Sequence, residues 1–420
     1  MMARAPLVTV TMPAYNNARH IGQAIDSVLS QTVDDFELVI VDDGSSDGTA
    51  AVVRRFDDPR IVFLPRANRG AADATNTAIR AARGRYVALF AADDICRPNR
   101  LERELRHLDE NGLRIVFTWA DFIGDAGEPL SGEHFASGWF NHPSRTRAAM
   151  LAWFFFHGNY LCTVSCLAER QLLVDAGLFP VTSAQLPDFA MWLALVKQHE
   201  LGLLPERLLE YRVHGDGSNV STPANSRRAY FEMCQIYRDM FSGCPADLFR
   251  AAFAGRLARP DFAEGHEYAL AKSFLYLQHD IPAVRALGLE RLYRQLQDPA
   301  CLEVAERSYG FGLSRLIELT NSFDATTAVE YLDMRQWATS VDQERRSLRT
   351  ERESVIADSE AVRADREALH AEYEAVLAEL GKTQAEFRKL EAYTRHVLAV
   401  KDEIQAELLR VVPAASPPAE

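Results

Sequence analysis

Four short polar clusters stand where apolar runs break off. Asp42-Asp43-Gly44-Ser45 follows directly on Phe36–Val41 (FELVIV), and Ala91-Ala92-Asp93-Asp94 follows on Tyr86–Phe90 (YVALF). Pro13-Ala14-Tyr15-Asn16 closes Leu7–Met12 (LVTVTM), and Asn68-Arg69-Gly70 comes after Ile61–Leu64. Adjacent carboxylates such as Asp93 and Asp94 suit a hard divalent cation, magnesium or manganese, which ligates through oxygen and can bridge a diphosphate. Asp43 can accept hydrogen bonds from a base or ribose, and Tyr15 offers a flat face for stacking. No Gly-x-Gly-x-x-Gly follows the first run, no P-loop occurs anywhere, and the one Gly-Lys pair is Gly381-Lys382. A phosphate group bound by this chain therefore needs a counter-charge other than a glycine cradle. Each cluster alone also reads as ordinary structure: a turn at Asp42-Asp43-Gly44, or helix capping at Asp93-Asp94. Their order and shared position favour the chemical reading.

That position follows from the elements between them. The apolar runs read as strands, with Ile115–Trp119 as a fifth. Helical spacing occupies Ile21–Leu29, a short stretch ending at Phe56, Ala71–Ala82, and the segment opened by Pro98. Strand–helix alternation implies an α/β fold, with a mostly parallel sheet and helices on both faces. Ligands of such sheets bind beyond the carboxyl ends of the strands, so the four clusters converge on one rim.

The segments TVTMPAYNNARHIGQAIDSVLSQT, FELVIVDDGSSDGTAAVV, NRGAADATNTAIRAARGRYVALF and AADDICRP together resemble the family 2 glycosyltransferases of the GT-A fold. The match is strong over residues 5 to 120 and looser to about 221. The resemblance implies that Tyr15 and Asp43 hold the base of a nucleotide sugar. Pro13, Asn68 and Arg69 lie on the same nucleotide-binding rim. It also implies that the aspartate triplet after the fourth strand binds ribose and metal, with Asp93, its third position, holding the metal and through it the diphosphate of the nucleotide. The family's aspartate triplet reads Ala91-Ala92-Asp93 here, so its first acid is missing, while Asp94 follows as an additional candidate. Leu173–Leu195 (LVDAGLFPVTSAQLPDFAMWLAL) is similar to the family segment that carries the general base, which maps to Asp188; Pro187 replaces the usual glutamate. A sugar hydroxyl is a poor nucleophile at neutral pH, and a positioned carboxylate can take its proton. LLEYRVHGDGSNVS resembles the closing motif, with His214 directed to the metal and Arg212 assisting. The implied activity is inverting transfer from a nucleotide-diphosphate sugar to a glycan or lipid-linked acceptor, dependent on manganese or magnesium. Two other readings stand beside it. One is a non-catalytic GT-A scaffold, suggested by Ala91, Ala92 and Pro187. The other is a nucleotidyltransferase, which PAYNNARH does not suit.

The rest of the chain is helical. Residues 1–222 form the GT-A domain, 223–335 an α-helical domain, 336–410 a coiled coil and 411–420 a disordered tail. Helices are expected near Arg145–Phe156, Glu169–Ala176 and Asp188–His199, and turns at Gly243, Pro260 and Pro282 divide the region after 223. Trp153-Phe154-Phe155-Phe156 belongs to a core helix, an acceptor wall or a membrane contact. Every seventh residue from Val341 to Ile404 is aliphatic except Thr383, a heptad seam that implies homo-oligomerisation. A companion row appears at Tyr373, Leu380 and Phe387. With 59 acidic and 46 basic residues among 420, the net charge of −13 argues against coating nucleic acid. The six cysteines show no paired metal spacing, so buried free thiols are expected. The longest apolar run, Ala148–Phe156, falls far short of the ~20 residues needed to span a bilayer. A cytoplasmic protein, peripheral at most to the inner face of the membrane, is the expectation.

Overall fold

The computed structural model describes residues 4–130, 136–214, 225–322 and 325–411. Side chains of the last segment are described at Ile356, at Ser359 and from 362 to 407. Eight strands form one sheet. They are β1 (Val8–Ala14), β2 (Phe36–Asp42), β3 (Ile61–Pro65), β4 (Tyr86–Leu89), β5 (Ile95–Cys96), β6 (Ile115–Ile123), β7 (Leu167–Glu169) and β8 (Gly202–Arg212), in the order β3-β2-β1-β4-β7-β6-β8-β5. The β3-β2-β1-β4 half is parallel, as expected, but β7 enters antiparallel to β4 and β6, and β5 antiparallel to β8. The expected mostly parallel sheet is therefore mixed.

Both faces are covered, which is why β1 and β2 are continuous apolar runs rather than alternating ones. Leu38 and Ile40 pack on the side of α1 (Ile21–Leu29), α2 (Thr49–Val53) and α4 (Arg100–Asn111), through Ile25, Val53 and Leu101. Val39 and Val41 point the other way, to Ala74 and Ala78 of α3 (Ala71–Ala81). α5 (Arg147–His157), α6 (Arg170–Asp175) and α7 (Pro187–Val196) share the core that contains Phe117 and Trp192. The β6–β8 pairing slips between Thr118 and Ala120. The backbone N–H and C=O of Ala120 are taken by the Asn141 carboxamide, each at 2.8 Å, so the bulge leaves no polar group of that residue orphaned.

The helical region is α8 (Ser226–Arg238), α9 (Ala246–Phe253), α10 (His266–Tyr276), α11 (Pro282–Gln295), α12 (Pro299–Tyr309) and α13 (Leu313–Ser322). It shares the compact unit Met1–Gln336 with the sheet. Phe155 of α5 is the joint. Its ring meets Phe241, Phe253, Tyr276 and His279 at centroid distances of 5.1, 5.6, 5.4 and 5.0 Å, and its carbonyl accepts from the Tyr237 hydroxyl at 2.6 Å. Phe154 and Phe155 are wholly buried, so the core reading of the aromatic segment holds for both. Buried free cysteines are also found: Cys96, Cys162, Cys166, Cys244 and Cys301 are buried and Cys234 partly so.

The second unit, Trp337–Glu420, contains most of α14 (Ala325–Val411). Val362, Leu369, Val376, Leu390, Val397 and Ile404 are all exposed along it. The earlier seam positions Val341, Leu348 and Val355, and the tail 412–420, lie outside the described side chains and residues. None of the described helices is long and apolar enough to cross a membrane.

Removing the joint tests how the helical region is held. Phe155→Ala is expected to cost about 3–5 kcal/mol by leaving a cavity among five aromatic rings. Urea unfolding followed by circular dichroism measures it. A cost below about 1 kcal/mol would show that the helices are anchored elsewhere.

Candidate active site

The sheet's register assembles the rim. Ala14 pairs with Asp42 and Asp42 with Pro65, so Tyr15, Asp43 and Arg66 leave three adjacent strands side by side. Gly44 has φ +80°, and a Cβ there would lie 2.8 Å from the Asn68 amide nitrogen, so only glycine lets the two loops close. Asp43 is buried. Its Oδ1 accepts from Arg66 Nε at 2.8 Å, and its carboxylate takes the Arg69 and Gly70 amides at 3.1 and 2.8 Å. Asp43 thus shapes the loop that carries Asn68 and Arg69, both of which are exposed. Tyr15 is 52% exposed beside it, free to present its ring.

β1 also pairs with β4, Thr11 opposite Leu89, which sets the Ala91–Asp94 exit next to Pro13–Asn16. Arg100, fully buried, fixes that exit by donating to the Leu89 carbonyl at 3.1 Å and to Glu104 at 2.8 Å. On the far side, Ile123 of β6 pairs with Arg212 of β8, so Asp125 and His214 emerge together. His214 Nδ1 lies 2.7 Å from Asp125 Oδ1, and its Nε2 lies 2.9 Å from Asp93 Oδ2. His20, just before α1, has Nε2 4.0 Å from the same Asp125 oxygen. Ligand atoms of His20, Asp125 and His214 all lie within 4.8 Å of one another. This donor set fits a divalent cation, with Asp93 hydrogen-bonded to its edge. Imidazoles mixed with carboxylates suit manganese better than magnesium.

Asp93 and Asp125 raise the His214 pKa to about 9 against the opposing effect of burial. Burial, then Arg212, lowers that of His20. Asp94 is buried, and burial and the neighbouring Asp93 push its carboxyl up; its Oδ1 accepts the Arg212 amide at 2.8 Å. Arg212 is brought to the site too, but its guanidinium is committed to the carbonyls of Asp93, Gly124 and Asp125 and to Gln23.

Asp188 sits in the first turn of α7. Its Oδ2 accepts from Asn159 Nδ2 at 3.0 Å and from the Thr163 hydroxyl at 2.7 Å; its Oδ1 accepts the Phe189 amide at 2.7 Å. Trp192 Nε1 donates to Thr163 at 3.4 Å and steadies it. Burial raises the Asp188 pKa while these hydrogen bonds oppose it. Burial, then the charges of Asp94, Asp93 and Asp188, raises the Tyr211 pKa. A cavity of about 460 Å³ opens at the opposite, amino edge of the sheet, but its Arg83 and Arg85 are paired with Glu37 and Glu169.

The sequence reading missed His20, Asp125, Asn159, Thr163 and Arg66. Their only signal is proximity created by the sheet.

Residues 9–165 match the family model of glycosyl transferase family 2. The putative teichuronic acid biosynthesis glycosyltransferase TuaG of Bacillus subtilis is 29% identical over 240 residues, 56% of this chain and 88% of that protein. The succinoglycan biosynthesis protein ExoO of Rhizobium meliloti is 41% identical over 129 residues, 30% of this chain and 37% of its own. The chain spans 30% of the length of an uncharacterized glycosyltransferase of Rickettsia bellii and 19% of that of the chondroitin synthase of Escherichia coli. S. aureus TarS 1-349 in complex with UDP-GlcNAc aligns over 72% of this chain and 91% of that one at 17% identity, with a TM-score of 0.49.

The raised His214 pKa sets a pH window. The imidazolium favours the folded state; that contribution is complete below pH 6.5 and is lost as pH rises through about 9. The metal-free protein should lose more melting temperature over that interval than His214→Gln does. Parallel profiles would remove the Asp93–His214–Asp125 pairing. A cation must displace the same proton, so manganese should bind more tightly towards pH 9, with proton release measurable by calorimetry in two buffers.

Proposed function

Because the chain belongs to glycosyltransferase family 2, we propose that it moves a sugar from a nucleoside-diphosphate sugar to the hydroxyl of a glycan or lipid-linked acceptor, inverting the anomeric carbon. The observation that carries this reading is the buried Asp188 carboxylate, oriented by Asn159, Thr163 and the Phe189 amide, in a chain whose sheet rim also gathers Asp93, Asp125 and His214. TuaG and ExoO are named for polysaccharide synthesis, and a growing polysaccharide is the acceptor we favour.

Asp188 is the proton acceptor. Three hydrogen bonds orient it, and its burial-raised pKa moves its basicity towards neutrality. As the acceptor oxygen bonds to the anomeric carbon, its proton passes to Asp188 and the electron pair of the breaking C–O bond leaves with the diphosphate. Tyr15 stacks on the base, and Asp43 holds the Asn68-Arg69-Gly70 loop that, with Pro13, walls the nucleotide. Asp93 and His214, with His20 and Asp125 beside them, would hold a manganese or magnesium ion. When bound, that ion supplies charge neutralisation for the leaving diphosphate.

The exposed apolar rows of α14 support self-association. Val362, Leu369 and Val376, joined by Tyr373 and Leu380, repeat at the four–three spacing of a coiled coil. A second copy of the chain would bury them.

Two sets of variants test these readings. Asp188→Asn should lower kcat at least ~100-fold, with nucleoside diphosphate affinity within twofold; turnover at the wild-type rate would end the base assignment. Asp93→Ala should instead weaken manganese-dependent UDP or GDP binding in calorimetry and leave metal-free binding alone. Light scattering should find an oligomer that Leu369→Lys with Leu380→Lys converts to monomers; a monomeric wild type rejects the coiled-coil pairing.

A further inference from the structure

Beside the Asp188 network, the chain builds an arginine into an aromatic clamp. The Arg145 guanidinium carbon lies 3.8 Å from the Trp153 ring centroid and 4.6 Å from that of Tyr160. His142 packs against both rings, at 5.2 and 5.4 Å. The backbone around Arg145 is tied down on both sides. Trp119 Nε1 donates to the His142 carbonyl at 2.9 Å, Asn141 grips Ala120, and Thr146 caps α5 by accepting from the Ala149 amide at 3.3 Å.

The clamp leaves the guanidinium's charge unused. Arg145 makes one hydrogen bond, Nη1 to the Pro143 carbonyl at 3.0 Å, and pairs with no carboxylate among the described residues. That is notable in a chain with 59 acidic side chains, most of whose described arginines near the sheet have an acidic partner. Stacking on two rings freezes the plane of the fork in advance, so a bidentate oxyanion would meet it with little further loss of freedom. Tyr160 adds a second unspent group. It is buried, and apart from the nearby Arg145 guanidinium its hydroxyl has no polar partner among the described residues. Burial holds that hydroxyl protonated, so it is a donor.

The clamp is continuous with the site. Tyr160 follows Asn159, which holds Asp188, and Phe154 touches both Tyr160 and Phe189 at 5.9 and 5.6 Å. Phe140, from the same loop as His142, packs on Tyr211 at 5.4 Å. A group bound at Arg145 would therefore belong to the molecule whose hydroxyl reaches Asp188.

We propose that Arg145 and Tyr160 form an oxyanion-recognising subsite for the acceptor, which carries a carboxylate or a phosphate near the hydroxyl that is glycosylated. This rests on the transferase reading above. It makes the enzyme selective for acidic acceptors over neutral ones, through a residue remote from the donor.

Calorimetry and ligand-observed NMR on the full-length protein test it with glucuronic acid, glycerol phosphate and glucose at matched ionic strength. At least one anion should bind tenfold or more tighter than glucose. A preference for glucuronic acid assigns an acidic sugar, and one for glycerol phosphate a phosphodiester. Arg145→Gln should reduce the preferred anion to the glucose level. Arg145→Lys, which keeps the charge but not the planar fork, should lose most of the preference and carries the test if the glutamine variant does not fold. Equal binding of all three probes, no binding of either anion, or an undiminished preference in both variants overturns the proposal. UDP or GDP binding with manganese, measured on the same samples, should not change; its absence in the wild type would count against the transferase reading instead.

Discussion

The Arg212 side chain is the constraint on which the site depends. Its guanidinium is buried and reaches four groups from three parts of the chain: the carbonyls of Asp93, Gly124 and Asp125, and Gln23 of α1. Its own amide is held by Asp94. The exits of β4, β6 and β8 are thereby fixed to one another around a single cation. Arginine suits this task because its donors fork in a plane and can satisfy several carbonyls at once. Burying the charge is costly, and the backbone carbonyls together with the Asp94 carboxyl offset that cost. The cluster of His20, Asp93, Asp125 and His214 comes from four separate segments, and His214 ties two of them together through Asp93 and Asp125.

That scaffold allows the acidic groups to divide their work by environment. Asp43 is saturated with donors and acts as a brace for a loop. Asp93 and Asp125 share an imidazole and hold it charged in the absence of a cation. Asp188 stands apart, with only neutral donors in contact and a pKa raised by burial. No cation pairs with it among the described residues, so burial is what raises its pKa. Carboxylates that would be interchangeable in water thus acquire separate roles from their partners.

The parallel half of the sheet was legible because strands buried on both faces read as unbroken apolar runs. Phe36–Val41 is the clearest, and its polar exit marks the rim at once. The later strands hid. β7 has three residues, too few to show a pattern, and β8 is interrupted by Pro205, Glu206 and Arg207 at the place where its register with β6 slips. The loss of β8 concealed Asp125. Gly124-Asp125-Ala126-Gly127 reads as a plain turn, and only the pairing of Ile123 with Arg212 brings it to His214, 89 positions away. Asn159 and Thr163 were hidden for a like reason. Each is an ordinary polar residue until α7 places Asp188 between them. Asp188 itself came from resemblance; its spacing alone would equally have made it a helix cap.

Net charge gave little guidance to what the site binds. A chain at −13 should repel an anionic nucleotide sugar at long range, yet screening confines that repulsion to about 10 Å at 0.1 M salt. Within that distance the local arrangement decides. Arg66 is tied to Asp43, His214 is held charged between Asp93 and Asp125, and Arg145 stands in its aromatic clamp. Part of the surplus acid lies on the exposed helix α14, which carries Glu372, Glu374, Glu379 and Glu386. Overall charge here is a statement about solubility, while the sign of the ligand is set by a few fixed cations at the carboxyl rim.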